Sequence, residues 1–548
     1  MNVRGLLLCL IATHLFLASI LGIPLVDHVI LEDVQALPFF YARSLPFTYY
    51  VAMAYLCLLA LFSRSNITKM FSLLLLAALT VMSPIIMFKN IIMQDGYSYL
   101  SEAIWLVRHG HVANINNLEE TPGFGLLFSQ LMLVSGLGYL EISKLFPMIF
   151  VLMTPLMALT SSRVYRDCTL LPLLFLAYLW DPPIVPHRSS CFIFFVILII
   201  YLLLNLHRSS SFITAYMVTI TTIVITYPGI IALIIALLSS AFLPRLLKKS
   251  PLTSRGIAMV SLMLFLIWGI WISRADFPYI VKSVYYGLQS FTLPTDVELL
   301  KTGYGVEGSL TTAFKTITYM RIVEILFLGT SSVIAALYSI LQWYRNKGSR
   351  DDLLFHFLYL NLVVIITSFI ILHEYKWFAL KFERVTIYLA TLSLSPFFRW
   401  IFSKGLKHKL VIACTIILVP LLLSPLTSFP ALPVTHASSS ELAAKDFIVR
   451  YGGPRLTIHM TEYSMPWLLH EVMLDKSEAP SINLMGPPRN YEVGLNYLVV
   501  QRYLGRDGYF HLPLTHREFL ANLTSLAVQS HNIVYCINNY TKIFLTKS

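Results

Sequence analysis

The stretch QDGYSYLSEAIWLVRHGH, residues 94–111, places Asp95 two positions before a tyrosine and follows it with Glu102, His109 and His111. A carboxylate at the head of such a segment has two ordinary uses. It accepts hydrogen bonds from the unpaired N–H groups that open a helix, or it removes or steers a proton from a reacting group. Ser98, Glu102 and His109 fall roughly along one side of the helix that would follow. A second set of polar residues lies further along the chain: Arg188 in DPPIVPHRSS, Tyr227-Pro228 in ITYPGII, and Glu374, Lys376, Lys381 and Arg384 in HEYKWFALKFERVTIYL. Arg and Lys are the usual partners of a phosphate anion. They also snorkel toward an interface or pair with a neighbouring acid such as Glu374, so both readings stand for these cations.

The elements that must position these groups are apolar. Of the 548 residues 57% are hydrophobic, 13% aromatic and 12% charged, and the mean hydropathy is +0.71. That composition belongs to a polytopic membrane protein. Repeated apolar runs near the ~20 residues that cross a ~30 Å hydrocarbon core make it helical rather than a β-barrel. Spans are expected near 6–24, 46–63, 70–88, 145–161, 168–180, 191–206, 212–226, 229–243, 257–273, 322–342, 352–373, 384–401 and 409–427, thirteen in all. The first, which begins after Arg4, is read as an uncleaved helix because its apolar stretch is long for a signal peptide.

With a cytoplasmic amino terminus, the internal connections are SRSNITK, SSRVYRD, LHRSSS, LPRLLKKSPLTSRG, YRNKGSRDD and SKGLKHK, and each carries Lys or Arg. That is the positive-inside pattern, and it accounts for the net charge of +12 without nucleic acid, for which no basic patch or binding motif is present. The localisation expected is a cell membrane, multi-pass, with the carboxyl terminus outside. A basic cluster at Arg188, Lys376, Lys381 and Arg384 then lies on the outer side, against the preference.

Three external regions follow. Residues 89–144 contain TPGFGLLFSQLMLVSGLG, too short to cross and suited to a helix at the membrane surface. Residues 274–321 read as an ordered loop rich in aromatic residues. Residues 428–548 read as a small extracytoplasmic α/β domain, with a capped helix in SSSELAAKDFIVRYGG and strands in RLTIHM, YLVVQRYL, NIVYCI and KIFLT, the last two joined by an Asn-Asn turn. Asn522 and Asn539 stand in N-x-S/T sequons, and Cys536 is the sole cysteine of that tail, which therefore has no internal disulfide. The division is a transmembrane hairpin over 1–69, a membrane module over 70–427 and the soluble domain over 428–548.

The acid just after a span, D-x-Y entering a helix that closes on GH, then TPGFGLLFSQLMLVSGL and LFPMIFVLMTPLMALTSSRVYRD, resembles the GT-C superfamily of polyprenyl-phosphate-sugar-dependent glycosyltransferases, particularly archaeal members. KFERVTIYL resembles their late outer-face Arg motif, and NIVYCINNYTKIFL is similar to the ends of their external domains. The resemblance implies a GT-C-like bundle with Asp95 as catalytic carboxylate, Glu102 and His111 as helpers, and Arg188, Tyr227, Lys376 and Arg384 around a lipid-linked phosphate donor. It implies a membrane lipid and a polyprenyl-phosphate sugar as partners, with a glycan, protein or lipid acceptor. The chain departs from the pattern in lacking a second acid after Asp95 and an acid beside Arg188, and in having Tyr227 where many relatives have His. A divalent metal, and activity itself, are left open by those departures.

The chemistry needs little else. A sugar phosphate is already activated, so transfer requires an acceptor placed in line, a carboxylate for its proton and cations for the leaving phosphate. Walker A and dinucleotide glycine motifs are absent from the sequence. The competing readings are a transporter or flippase for lipid-linked or anionic solutes, and a catalytically inactive scaffold. Transport calls for ionisable residues within the spans, whereas here polar groups gather at one face.

The orientation is open to direct test. A single cysteine placed in SKGLKHK should resist an impermeant thiol reagent in intact cells, while one placed beyond residue 428 should react. Labelling of the former from outside would reverse the assignment.

Overall fold

The computed structural model describes residues 3–26, 39–88, 94–111, 123–179, 188–206, 208–227, 230–246, 249, 252–268, 312–345, 350–371, 383–403, 411, 413–427, 457–460, 481–484, 531–537 and 541–546. In chain order they form α1 (Val3–Leu21), α2 (Phe40–Ser44), α3 (Phe47–Phe62), α4 (Asn66–Met87), α5 (Gln94–His109), α6 (Gly123–Ser135), α7 (Tyr139–Leu145), α8 (Met148–Val164) and α9 (Leu170–Tyr178). They continue as α10 (Arg188–Asn205), α11 (Ser210–Thr226), α12 (Ile230–Leu246), α13 (Arg255–Ile267), α14 (Thr312–Tyr344), α15 (Arg350–Ile371), α16 (Glu383–Ser393) and α17 (Ser395–Ser403). A π-helical turn, Ala413–Leu418, then leads into α18 (Val419–Thr427).

Helices dominate because an apolar segment in lipid must pair its own backbone. Among the described residues Asn66–Met87, Tyr139–Val164 and Val323–Tyr344 are long and apolar enough to cross a membrane, and shorter apolar helices accompany them. The second of these crossings begins at Tyr139, six residues before the expected start, because α7 runs on into α8 through the Phe146-Pro147 turn. By contrast α6 is a helix of 13 residues, about 20 Å long and short of the ~30 Å core. Residues 312–321, expected in a loop, are instead the first turns of α14.

Two expected spans differ more. The segment 168–180 forms only the nine residues of α9, every one of them buried, and Leu179 leaves the helix in an extended conformation just before the Trp-Asp-Pro-Pro sequence. The segment 384–401 is not one helix but two, α16 and α17, divided at Leu394. Pro396 has no N–H with which to continue the ladder, and the chain passes the break through Leu394 N–H to Thr391 O and Phe398 N–H to Leu394 O.

Strands β1 (Thr457–Met460) and β2 (Ser481–Leu484) pair in parallel, with Ile458 opposite Ile482. Strands β3 (His531–Ile537) and β4 (Thr541–Thr546) form an antiparallel pair with an irregularity between Ile533 and Tyr535. β1, β3 and β4 fall in segments expected to be strands, and β2 was not anticipated. YLVVQRYL and the expected helix over SSSELAAKDFIVRYGG lie outside the described residues, as does Asn539 between β3 and β4.

Polar side chains inside the bundle bond across helices. Tyr41 and Ser83 hydroxyls meet at 2.6 Å, Tyr216 and Ser261 at 2.9 Å, and Ser332 donates to the Ala390 carbonyl at 2.9 Å. Such bonds satisfy groups that would otherwise be buried at a cost.

The strongest polar junction is the turn between α8 and α9. The Lys69 ammonium at the start of α4 lies 2.8 Å from the Asp167 carboxylate. Asp167 also accepts from the Thr169 N–H at 2.8 Å and from the Thr169 hydroxyl. In the same turn Arg163 donates to the Leu204 carbonyl near the end of α10, and Tyr165 donates to the Thr391 carbonyl of α16. Elsewhere Lys249 donates to the Tyr344 carbonyl at 3.3 Å and so covers the end of α14. These cations meet the carbonyl ends of helices, where the backbone is short of donors and the dipole is negative.

Burial alone would raise the Asp167 pKa, but its bonds to Lys69 and Thr169 outweigh that and hold it below the usual carboxylate value. A group lowered in the folded chain stabilises it above the unfolded pKa of about 3.9 and loses that effect as pH falls through the folded value. Asp167→Ala should therefore cost about 1.5–3 kcal/mol at pH 7, the range for hydrogen bonds to a charged group. Unfolding in mixed micelles should show the gap fully open above about pH 4 and narrowing below it. Equal stability of the two forms at pH 7 would contradict this account.

Candidate functional site

The amino-terminal end of α10 gathers several of the residues singled out by type. Arg188 opens this helix, and two positions on, Ser190 accepts a 2.9 Å hydrogen bond from Arg384 Nη1. Arg384 is the second residue of α16, a buried residue, 8% exposed, at a position 194 residues away in sequence. One turn beyond Arg188, the Phe192 ring lies 4.7 Å from that of Tyr227, which ends α11. The first two turns of α10 thus carry Arg188 and, on separate side chains, meet Arg384 through Ser190 and Tyr227 through Phe192.

The α5–α6 segment reaches the end of α11 through glycine. A Cβ on Gly123, at the start of α6, would stand 2.6 Å from Thr226 Oγ1 and 2.9 Å from the Ile225 carbonyl. No other residue allows α6 to approach the end of α11 so closely. A Cβ on Gly125 would stand 3.3 Å from Glu102 Cβ and 3.2 Å from Leu106 Cδ1, so α5 packs on α6. Contact therefore runs from Glu102 through Gly125 and Gly123 to Thr226, Tyr227, Phe192, Ser190 and Arg384. The α5–α6 pair thus packs on the end of α11, which in turn packs on α10 through Tyr227 and Phe192.

Within α5 the candidates separate. Asp95 is the second residue of the helix, so the helix entry expected at this acid is where the backbone places it. Glu102 lies two turns on and is 5% exposed, buried against α6. His109 ends the helix, about 21 Å from Asp95 along the axis at 1.5 Å per residue. Gly110, at φ 71°, turns the chain with its N–H on the Leu106 carbonyl at 2.9 Å, the usual left-handed helix stop. His111 therefore stands at the opposite end of α5 from Asp95, exposed, 6.1 Å from the Trp105 ring and 6.2 Å from that of His109. The helix between them sets Asp95 and His111 at opposite ends of α5. Lys376 lies outside the described residues.

The cluster can hold an anion. A buried guanidinium needs hydrogen-bonding partners, and Arg384 sits against the first turn of an 18-residue helix whose N–H groups and dipole are also positive. Among the described residues no group of three or more His, Cys, Asp or Glu side chains could hold a metal ion.

Sequence reasoning passed over three contributors. Ser190 follows Arg188 in an unremarkable RSS sequence, and Gly123 and Gly125 were read only as part of an apolar segment.

No family model matches the chain, and no curated protein matches it.

Proposed function

We propose that this protein is an integral membrane glycosyltransferase of GT-C type, moving a sugar from a polyprenyl-phosphate donor to a glycan, protein or lipid acceptor on the extracytoplasmic face. The observation that carries the reading is a continuous packing path, from the α5–α6 pair to the end of α11 and from there to α10, whose first turn bonds Arg384. Asp95 opens α5 and is the carboxylate that removes or steers the acceptor proton. Arg384 and the start of α10, with Arg188, receive the phosphate, while Glu102 positions α5 through its packing on Gly125. A diphosphate or phosphate leaving group gains most from fixed cations as the glycosidic bond breaks.

The proposal includes thirteen spans, a cytoplasmic amino terminus and an exported α/β domain over 428–548. Contacts among the basic connections support the alternation. Lys69 to Asp167 and Lys249 to Tyr344 each join two connections proposed to be internal, and Arg163 to Leu204 joins one such connection to the proposed inner end of α10. Val26 N–H to Met87 O at 2.6 Å, and Arg384 to Ser190, each join two ends proposed to be external.

Two substitutions test the assignment. Asn caps helices as well as Asp, so Asp95→Asn should keep the folded chain but lower sugar transfer by about 10²- to 10⁴-fold, the scale of a lost acid–base group. The measurement is transfer from a pool of lipid-linked sugars by membranes holding matched amounts of each form. Near-normal transfer would return Asp95 to the role of a helix cap. Arg384→Ala should weaken retention of a polyprenyl-phosphate sugar more than it lowers the amount of folded protein. Equal retention by both forms would remove Arg384 from the phosphate site.

A further inference from the structure

A groove of 580 Å³ runs along α14, bounded by Phe327, Ser331, Ile334 and Tyr338 on that helix and by Phe397 and Trp400 on α17. It lies apart from the Arg384 cluster, beyond the break at Leu394. Its walls are apolar or aromatic except at Ser331. The volume is within the ~300–1,000 Å³ of small-molecule sites. Only 28% of the apolar window of α14 is buried, against 61% for Asn66–Met87, so this helix gives most of its surface to whatever surrounds the bundle. The break between α16 and α17 makes the groove, since Pro396 and Phe397 step away from the line of the upper helix.

The charge at one end is what identifies the occupant. Phe327, Ser331, Ile334, Tyr338, Leu341 and Arg345 follow one another at spacings of four and three, and so share one face of the helix. The helix continues through Arg345, whose N–H bonds the Leu341 carbonyl at 3.1 Å, and Arg345 is exposed. Beside it the Lys249 ammonium covers the Tyr344 carbonyl and lies 5.9 Å from the Trp343 ring. The face that lines the trough thus leads, two turns beyond Tyr338, to Arg345, with Lys249 on the adjoining face of the same helix end. Tyr338 and Trp400 are exposed, as amphipathic rings are at a lipid–water boundary.

We propose that the groove binds an anionic phospholipid, one acyl chain lying between α14 and α17 and the phosphate meeting Arg345. A zwitterionic head group would bring its own cation to a positive rim. A second copy of the chain, related by a two-fold axis along this face, would set like charges together. In the orientation proposed above, the head group belongs to the cytoplasmic leaflet. The binding itself does not depend on that orientation or on the transferase reading.

The test uses the full chain in detergent, exposed to equal amounts of phosphatidylglycerol and phosphatidylcholine and examined by native mass spectrometry. Phosphatidylglycerol should be retained over phosphatidylcholine by roughly fivefold, the equivalent of about 1 kcal/mol for one basic residue at an anionic surface. Arg345→Gln, at an exposed position, should abolish the preference, and Ser331→Trp should displace both lipids by filling the trough. Equal retention of the two lipids by the unaltered chain would overturn the proposal. So would a preference that survives Arg345→Gln, or a dimer whose interface excludes lipid from the groove. If Ser331→Trp fails to fold, the Arg345→Gln comparison still decides.

Discussion

Everything at the site end of the bundle depends on how the turn at Asp167 fixes the other end. Within a few residues this turn binds α4 through Lys69, α10 through Arg163 and α16 through Tyr165. Helices in lipid gain little from hydrophobic association with one another, because lipid tails are as apolar as leucine. Polar bonds at fixed points therefore decide which helices are neighbours and in what register. Once α10 and α16 are pinned near this turn, their far ends arrive together, and Arg384 meets Ser190.

The same logic explains where charge is spent. Cations at the Asp167 end cover helix carbonyls, which costs little because those oxygens already lack donors. Arg384 is different: it is buried and donates to Ser190 in the first turn of α10, so it meets the positive end of a helix rather than a carbonyl end.

Much of the architecture was legible because the forces that choose elements act residue by residue. Apolar runs separated the helices, the Gly110 stop closed α5, and the shortness of α6 kept it from being counted as a crossing. The pairing of strands β3 and β4 followed from two β-rich runs across an Asn-Asn turn. What could not be read was pairing between distant positions. Lys69 and Asp167 are 98 residues apart, and Arg384 and Ser190 are 194 apart, with no periodicity to connect them. Hydropathy also hid the break at Leu394, since both halves are apolar and only the missing N–H of Pro396 divides them. At the site, residue type pointed to Arg188, Tyr227 and Arg384, while Ser190 and the two glycines of α6 are too plain in sequence to stand out. Asp95 and His111, close along the chain, stand at opposite ends of a helix because closeness in sequence becomes distance along its axis.

The division of α16 from α17 also governs how mechanical disturbance travels. A continuous helix is a stiff rod, and a twist at one end turns the other. Here the rod is cut: Arg384 rides on a piece of 11 residues and Trp400 on a separate piece of nine, joined through Leu394. Two backbone bonds, Leu394 N–H to Thr391 O and Phe398 N–H to Leu394 O, carry the chain across the joint, so the two pieces are coupled more softly than the turns of one helix. A tilt of α17 imposed by the surroundings reaches Arg384 weakened, as torque does through a flexible coupling.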